Sequence, residues 1–209
     1  VYNGKETLKK VLRALKKQKI KGKFEIIVID DGKEEVREIT KKFKVRYYKN
    51  KENLGLAGSM NKGVKKAKYE IIVSLHQDCV PENKKWLSNL IKPLKNEKVV
   101  ASCSAVYLPK SIWKKFGFWH KALSIQELGV TYPELDEKGC GYKKRVLEKI
   151  GMFNTKNFHS SGEDRDLYKK LQKYGRVVKC KCKIIHLHTS YREGIINPVS
   201  YTHLTLSTN

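Results

Sequence analysis

The sequence lacks several features that would place it in a common protein class. No apolar run approaches the roughly 18 residues that a membrane-spanning helix needs, and no secretory signal is visible. The five cysteines are an odd number without C-x-x-C spacing, which favours reduced thiols over a disulfide framework. The phosphate-binding patterns G-x-x-x-x-G-K-[ST] and G-x-G-x-x-G do not occur. We therefore expect a globular cytoplasmic protein without these common nucleotide-binding loops.

Acidic residues are scarce relative to basic ones. The 209 residues include 45 Lys and Arg against 21 Asp and Glu, a formal net charge of +24. This balance fits a basic face for nucleic acid, anionic lipid or phosphorylated substrate. It also fits a lysine-rich proteome in which Lys coats every exposed helix. The lysines are spread from Lys5 to Lys183 without an arginine-rich block, which favours the second interpretation.

Both ends of the chain differ from its middle. At the start, no strand precedes the first helical pattern. Residues 194–209 contain no Asp, Glu, Lys or Arg, in a chain that is 32% charged. About five charged residues would be expected over that length. We expect residues 1–193 to form a domain that lacks the first strand of its sheet, and residues 194–209 to be a non-domain tail and a sequence artefact.

Two continuous apolar runs end in acidic motifs. Residues 26–29 run into Asp30-Asp31-Gly32, and residues 71–75 run into His76-Gln77-Asp78. Such runs are typical of parallel strands buried on both faces, and open α/β sheets bind ligands beyond the carboxyl ends of these strands. Helical patterns lie between the runs, and Pro81 is expected to open one helix. The predicted strands cover residues 24–29, 45–48, 70–75, 99–107 and 177–188. The pattern predicts an α/β fold with a mostly parallel sheet flanked by helices.

Five motifs in a fixed order resemble those of the family 2 glycosyltransferases. They are V-Y-N at residues 1–3, I-D-D-G at 29–32, N-x-G-x-x-x-x-x-N at 53–61, H-Q-D at 76–78 and G-E-D-x-D-L at 162–167. No single motif is specific, but all five lie on the expected elements across residues 1–192. The resemblance implies the GT-A fold, a Rossmann-like sheet that binds nucleotide-diphospho-sugars. It also implies an inverting, metal-dependent transfer of a sugar from a nucleotide-diphosphate donor to an acceptor hydroxyl.

The resemblance assigns the donor, a UDP-sugar by preference, to residues near the first strands. Tyr2 is expected to stack on the nucleobase, and Asp31 to accept a hydrogen bond from it with Asp30 beside it. Alone, an Asp-Asp-Gly sequence would be read as a solvated turn, but this one ends a buried strand. Met60 stands where the family often has Arg, so we expect one fewer diphosphate contact. The other implied donor-binding residues are Asn53, Gly55, Asn61, His76 and Gln77.

The resemblance also implies a metal site. In the D-x-D motif of the family the last acid binds the metal, which is Asp78 here, whereas His76 replaces the first acid. One carboxylate with phosphate oxygens and water suits Mg²⁺ or Mn²⁺, and an imidazole favours Mn²⁺. His186 and His188 alternate on the last predicted strand and therefore share a face. Either is a candidate ligand, and His188 is preferred.

The adjacent acids Glu163 and Asp164 resemble the motif that supplies the general base of the family. A positioned carboxylate is needed because an acceptor hydroxyl is a poor nucleophile until its proton is removed. We assign the base to Asp164 and an orienting role to Glu163. The plain alternative for both is stabilisation of a helix N-terminus by its acids.

The acceptor is defined least by the sequence. Gly139-Cys140-Gly141 resembles a small-residue turn beside the acceptor site of the family, where the backbone approaches closely. Acceptor candidates are a saccharide, a lipid-linked sugar or a protein, with cell-surface polysaccharide biosynthesis as the expected role. Peripheral association with the inner face of the membrane is compatible with this role, and no nucleic-acid partner is expected.

Two alternatives to sugar transfer remain open at the level of sequence. A nucleotidyltransferase would need a glycine-rich loop such as G-x-G-T-R after its first strand, and the chain has none. A basic nucleic-acid-binding module would use the Lys-rich surface and would make no use of Asp78.

Overall fold

The fold is a mixed sheet with helices on both faces. The computed structural model describes residues 1–118, 121–122, 135–158, 162–187 and 203–208. The strands are β1 (Phe24–Asp30), β2 (Arg46–Lys49), β3 (Ile71–His76), β4 (Cys79–Pro81), β5 (Val99–Tyr107), β6 (Gly139–Lys143), β7 (Arg176–His186) and β8 (His203–Thr208). The helices are α1 (Lys5–Lys16), α2 (Arg37–Lys42), α3 (Gly55–Lys66), α4 (Trp86–Ile91), α5 (Lys110–Trp113), α6 (Lys144–Lys149) and α7 (Glu163–Gln172), with a 3-10 turn at Lys92–Lys95.

The strands lie in one sheet in the order β2-β1-β8-β3-β6-β5-β7-β4. β1 pairs in parallel with β2, and β5 pairs in parallel with β7. β8 is antiparallel to both β1 and β3, and β6 is antiparallel to both β3 and β5. β4 is antiparallel to β7 at one edge. Five strands (β1, β2, β3, β5 and β7) therefore run in one direction, and the predicted α/β class takes a mixed form.

The sheet is buried on both faces, as its apolar runs predict. In β1, Ile26 and Val28 pack into one hydrophobic cluster, and Ile27 and Ile29 pack into the other, following the two-residue period of a strand. α1 covers the first cluster with Leu8, Val11, Leu12 and Leu15. α3 covers the second with Leu56, Met60 and Val64. Complete burial of such a side chain contributes about 1.5–3 kcal/mol, so these helices are held mainly by packing on the sheet.

Residues 139–141 form part of a strand and not the predicted turn. They belong to β6, which lies between β3 and β5. Small residues are needed here because the neighbours are close. A Cβ added at Gly139 would lie 2.8 Å from Ile184 Cδ1, and one at Gly141 would lie 2.9 Å from Ser102 Oγ. The sequence analysis expected close approach of an acceptor here, whereas the close groups that the structure describes belong to neighbouring parts of this domain.

Residues 203–208 also differ from the sequence-based expectation. The sequence analysis assigned these residues to a tail outside the domain, but they form β8 between β1 and β3. The facing edges of β1 and β3 both require hydrogen-bond partners, and β8 supplies them. The alternation of Leu204 and Leu206 with polar residues is a strand pattern. The expectation relied on the missing charges and overlooked this alternation.

The helix expected at Pro81 begins later than predicted. Pro81 ends β4, and α4 begins at Trp86. Pro81 lies on an edge strand, where proline is tolerated. Among the helices that the structure describes, none is long and apolar enough to cross a membrane.

Candidate functional site

The two acids that end β1 have different surroundings. The carboxylate of Asp30 is fully buried and accepts a hydrogen bond from Tyr47 Oη at 2.8 Å. Burial and the bond to Asp30 raise the pKa of Tyr47 well above its ordinary value, so the phenol stays a donor. Asp31 is half-buried, and its Oδ1 accepts from Leu54 N at 2.9 Å and Asn50 Nδ2 at 2.7 Å. Asp30 thus anchors β2, whereas Asp31 lies nearer the surface and fixes the loop before α3.

The loop before α1 is fastened to the end of β3 by Gln77. Gln77 Nε2 donates to Tyr2 O at 2.9 Å, and Tyr2 N donates to Gln77 Oε1 at 3.2 Å. Gly4 packs on the same side chain, since a Cβ at Gly4 would lie 2.5 Å from Gln77 Cδ. Gln77 therefore positions the Tyr2 loop beside the end of β3.

The loop motif at residues 53–61 separates into two parts. Asn53 Oδ1 accepts from Gly55 N at 2.8 Å, and Gly55 has a φ of 66°, in the left-handed region that favours glycine. Asn61 lies in α3 and bonds Phe153 twice, donating to its carbonyl at 2.9 Å and accepting from its N–H at 3.0 Å. The structure therefore places Asn53 and Gly55 beside Asp31 but ties Asn61 to the turn after α6.

Asp78 and His186 meet where β4 pairs with the end of β7. His186 Nε2 lies 3.2 Å from Asp78 Oδ2, and Leu187 N donates to Asp78 O at 2.9 Å. Burial opposes ionisation of Asp78, but the hydrogen bond and charge of His186 outweigh it and hold the pKa of Asp78 well below its ordinary value. A carboxylate oxygen and an imidazole nitrogen thus converge here. His188, the preferred histidine of the sequence analysis, lies outside the described residues.

His76 connects the end of β3 to Glu137. Its Nε2 lies 3.3 Å from Glu137 Oε1, and its backbone N–H donates to Lys138 O at 3.2 Å. Burial lowers the pKa of His76 to about 4, and burial raises the pKa of Glu137. The imidazole is therefore neutral at pH 7, and burial disfavours the charged form of its partner.

Glu137, Glu163 and Asp164 form an acidic cluster at the start of α7. One carboxylate oxygen from each residue lies within 4.8 Å of the others. Gly162, with a φ of 90°, turns the chain into α7. Burial, followed by the charge of Glu137, raises the pKa of Glu163 to about 7 and the pKa of Asp164 to about 6. Carboxyl groups this close do not all ionise together, so the cluster retains a proton near neutral pH.

Residues 139–141 lie next to this cluster in the chain and in space. Ser74 Oγ donates to Glu137 O at 2.8 Å, and Cys140 Sγ donates to Asp136 O at 2.8 Å. These bonds fix the segment that carries Glu137 against β3 and β6. Of the sequence-predicted acceptor residues, Cys140 therefore contacts the backbone that presents the acidic cluster.

The sequence analysis missed Glu137 and Cys79. Glu137 follows a long stretch without periodicity, so no predicted element placed it near Asp164. Cys79 was counted as a reduced thiol, although its position directly after Asp78 was visible. The structure places its ligand atom within 4.8 Å of those of Asp78 and His186.

Solved structures with a similar fold are GT-A glycosyltransferases. The mannosyltransferase PcManGT from Pyrobaculum calidifontis, solved in complex with GDP-Man and Mn²⁺, matches with a TM-score of 0.71 and 18% identity, covering 91% of this chain and 56% of that one. GalNAc-T7, solved with UDP, GalNAc and Mn²⁺, matches with a TM-score of 0.63 and 16% identity, covering 84% of this chain and 39% of that one. The likeness identifies the fold as GT-A.

Sequence relatives give the family. The family described as "Glycosyl transferase family 2" matches residues 1–151. Hyaluronan synthase of Pasteurella multocida is 32% identical over 230 residues, covering 90% of this chain and 24% of that protein. The "Uncharacterized glycosyltransferase YfnE" of Bacillus subtilis (strain 168) is 27% identical over 192 residues, covering 85% of this chain and 46% of that protein.

The chain belongs to glycosyl transferase family 2. The predicted family, the GT-A fold and the transferase class are therefore confirmed. The chain spans less than half the length of either relative.

Proposed function

We propose that this domain transfers a sugar from a nucleotide-diphosphate donor to an acceptor hydroxyl with inversion at the anomeric carbon. The observation that carries the proposal is that two chemically distinct sets of side chains lie around the end of β3. Asp78 with His186 offers a metal site, and Asp164 offers a base within an acidic cluster. His76, two residues before Asp78, contacts Glu137 of that cluster. Residues 76–78 thus connect the proposed metal site to the acidic cluster.

The donor atoms at Asp78 and His186 suit a divalent cation. A carboxylate oxygen and an imidazole nitrogen fit Mn²⁺ and leave further positions for phosphate oxygens and water. When bound there, the cation would neutralise charge on the departing nucleoside diphosphate.

The donor nucleotide is assigned to the ends of β1 and β3. Asp31 and the loop at residues 53–55 form one side of this region, and Tyr2, held by Gln77, forms another. Of the two acids at the end of β1, Asp31 is the more accessible. It is the better candidate to bind the nucleobase, since the carboxylate of Asp30 is engaged by Tyr47. A UDP-sugar is the proposed donor.

Asp164 is the proposed general base. The acceptor oxygen attacks the anomeric carbon, the bond from that carbon to the diphosphate oxygen breaks, and the hydroxyl proton passes to Asp164. With a pKa raised to about 6, Asp164 is largely ionised at pH 7 and is a stronger base than an ordinary Asp. Glu137, in the same cluster, tunes this basicity because its charge is the largest cause of the raised pKa after burial.

A donor screen tests the proposal. The protein is incubated with UDP- and GDP-sugars, with and without Mn²⁺, and free nucleotide diphosphate and glycosylated products are measured. We expect one donor to be consumed only when Mn²⁺ is present, and the product to have the opposite anomeric configuration. Failure of every donor to bind or react in the presence of Mn²⁺ and Mg²⁺ would contradict the proposal.

A further inference from the structure

The thiol of Cys79 borders the Asp78–His186 pair. Cys79 begins β4, is fully buried and is the register partner of His186 in the antiparallel pairing of β4 with β7. Its Sγ lies 3.7 Å from Asp78 Oδ1, while His186 Nε2 lies 3.2 Å from Asp78 Oδ2. The sulfur and the imidazole therefore contact different oxygens of the same carboxylate.

We propose that Cys79 is the third protein ligand of the metal site and makes it selective for thiophilic divalent cations such as Zn²⁺ or Co²⁺ over Mg²⁺. The inference rests on the proposed function, which assigns a cation to Asp78 and His186. A carboxylate oxygen alone suits hard cations, whereas sulfur and nitrogen ligands shift the preference toward borderline and soft ones.

The three donor groups lie nearly as close together as the ligands of a small metal centre. Bond lengths of 2.0–2.3 Å in a tetrahedral zinc site place its donor atoms roughly 3.3–3.8 Å apart. His186 Nε2 lies 3.2 Å from Asp78 Oδ2 and Cys79 Sγ lies 3.7 Å from Asp78 Oδ1. One carboxylate oxygen, the sulfur and the imidazole nitrogen all lie within 4.8 Å of one another. Small side-chain adjustments would bring the three donors around one cation. Three protein ligands leave a fourth position open for a phosphate oxygen.

The backbone restrains this arrangement. Cross-strand partners in an antiparallel pair present their side chains on the same face, which places the Cys79 and His186 side chains together. Leu187 N donates to Asp78 O at 2.9 Å, so the end of β7 is held to the residue between the two strands. A structural role as a buried thiol would need only apolar neighbours. A purely structural role for Cys79 would not require a carboxylate and an imidazole beside its thiol.

Cobalt spectroscopy tests the proposal. The full chain is titrated with Co²⁺ alone and with Co²⁺ plus UDP while its absorption spectrum is recorded. A thiolate bound to Co²⁺ gives a charge-transfer band in the near ultraviolet, and ligation releases the thiol proton. We expect this band in the wild-type protein and its loss in Cys79→Ser and Cys79→Ala, with Co²⁺ affinity reduced at least about tenfold. Mg²⁺ affinity is expected to change little.

Cys182→Ala is the matched control. Cys182 is buried in the same hydrophobic cluster, but its Sγ lies 3.7 Å from Ser104 Oγ. The variant also breaks the neighbouring pair of Cys180 and Cys182, two thiols that could bind Co²⁺ together. We expect the near-ultraviolet band to survive in Cys182→Ala.

Three results would overturn the assignment of Cys79. They are Co²⁺ binding by the wild-type protein without the band, equal Co²⁺ affinity in Cys79→Ala, and loss of the band in Cys182→Ala. In each case a metal site at Asp78 would stand. If instead neither Co²⁺ nor Mn²⁺ binds in the presence of UDP, or Asp78→Asn binds both unchanged, the metal-dependent function itself is wrong. Even if the Cys79 variants fold poorly, absence of the band from the wild-type spectrum overturns the assignment.

Discussion

Replacing Glu137 by Gln tests whether the acidic cluster sets the pH range in which the base works. Glu137 is buried within 4.8 Å of the other two acids, and after burial its charge is the largest cause of the raised pKa of Asp164. The amide has nearly the shape of the carboxyl group but carries no charge. Burial of Asp164 persists in the variant, so its pKa should fall without returning to the ordinary 3.8.

The expected size of the effect follows from the ionised fraction of Asp164. With a pKa of about 6, Asp164 is about 91% ionised at pH 7 and about 9% at pH 5, so kcat/KM of the wild-type protein should fall about tenfold over that interval. Removal of a nearby like charge lowers a carboxyl pKa by roughly one pH unit or more. In the variant, the same pH change should lower kcat/KM only about twofold.

The assay is release of nucleotide diphosphate from the active donor, measured from pH 4.5 to 8 for both proteins. Glu148→Gln, on the exposed face of α6, is the control and should keep the wild-type profile. An acid limb that stays near pH 6 in Glu137→Gln would refute the coupling of Glu137 to the base.

Three other variants follow from the structure. Glu163→Gln should stabilise the protein at pH 8 by up to about 3 kcal/mol and have little effect at pH 4. The pKa of Glu163 is raised to about 7 in the folded chain, so the contribution of this carboxyl group to stability is lost as the pH rises through 7. Thermal unfolding at both pH values checks this. Asn61→Ala removes both bonds to Phe153 and should cost about 1–3 kcal/mol in denaturant unfolding without altering UDP affinity, whereas weaker UDP binding at unchanged stability would restore Asn61 to the donor site. Deletion of residues 203–208 unpairs β1 and β3 and should lower the melting temperature; an unchanged melting curve would show that β8 contributes nothing to the sheet.

Several elements could be predicted because local pattern and tertiary role agree. β5 has the predicted bounds, and the helical spacing of Leu8, Val11, Leu12 and Leu15 in the sequence corresponds to the face that α1 buries. β6 and β8 could not be read in this way, since glycine in β6 suggests a turn and the uncharged tail suggests no domain at all. Their placement depends on pairing with strands distant in the sequence, which local propensity does not encode.

The candidate site was predictable where a motif supplied the residues and not where the fold supplied them. Asp78 and Asp164 were found through motifs at a strand end and a helix start. Glu137 and Cys79 were not, because their importance lies in contacts across elements. The proposed role of Glu137 comes from its burial beside Asp164, and the proposed role of Cys79 comes from its pairing with His186 in β7. Neither relation has a fixed spacing in the sequence.

The central claim is that Asp78 serves nucleotide binding through a cation while Asp164 serves proton transfer. Calorimetric titration of UDP in the presence of Mn²⁺, run on the wild type, Asp78→Asn and Asp164→Asn, tests it most directly. Asp164→Asn should bind UDP as the wild type does, even though general-base catalysis contributes about 10²–10⁴-fold to turnover. Asp78→Asn should lose the Mn²⁺-dependent part of the affinity, since an amide is a weaker ligand for the cation. Normal UDP binding by Asp78→Asn, or its loss in Asp164→Asn, would contradict the account.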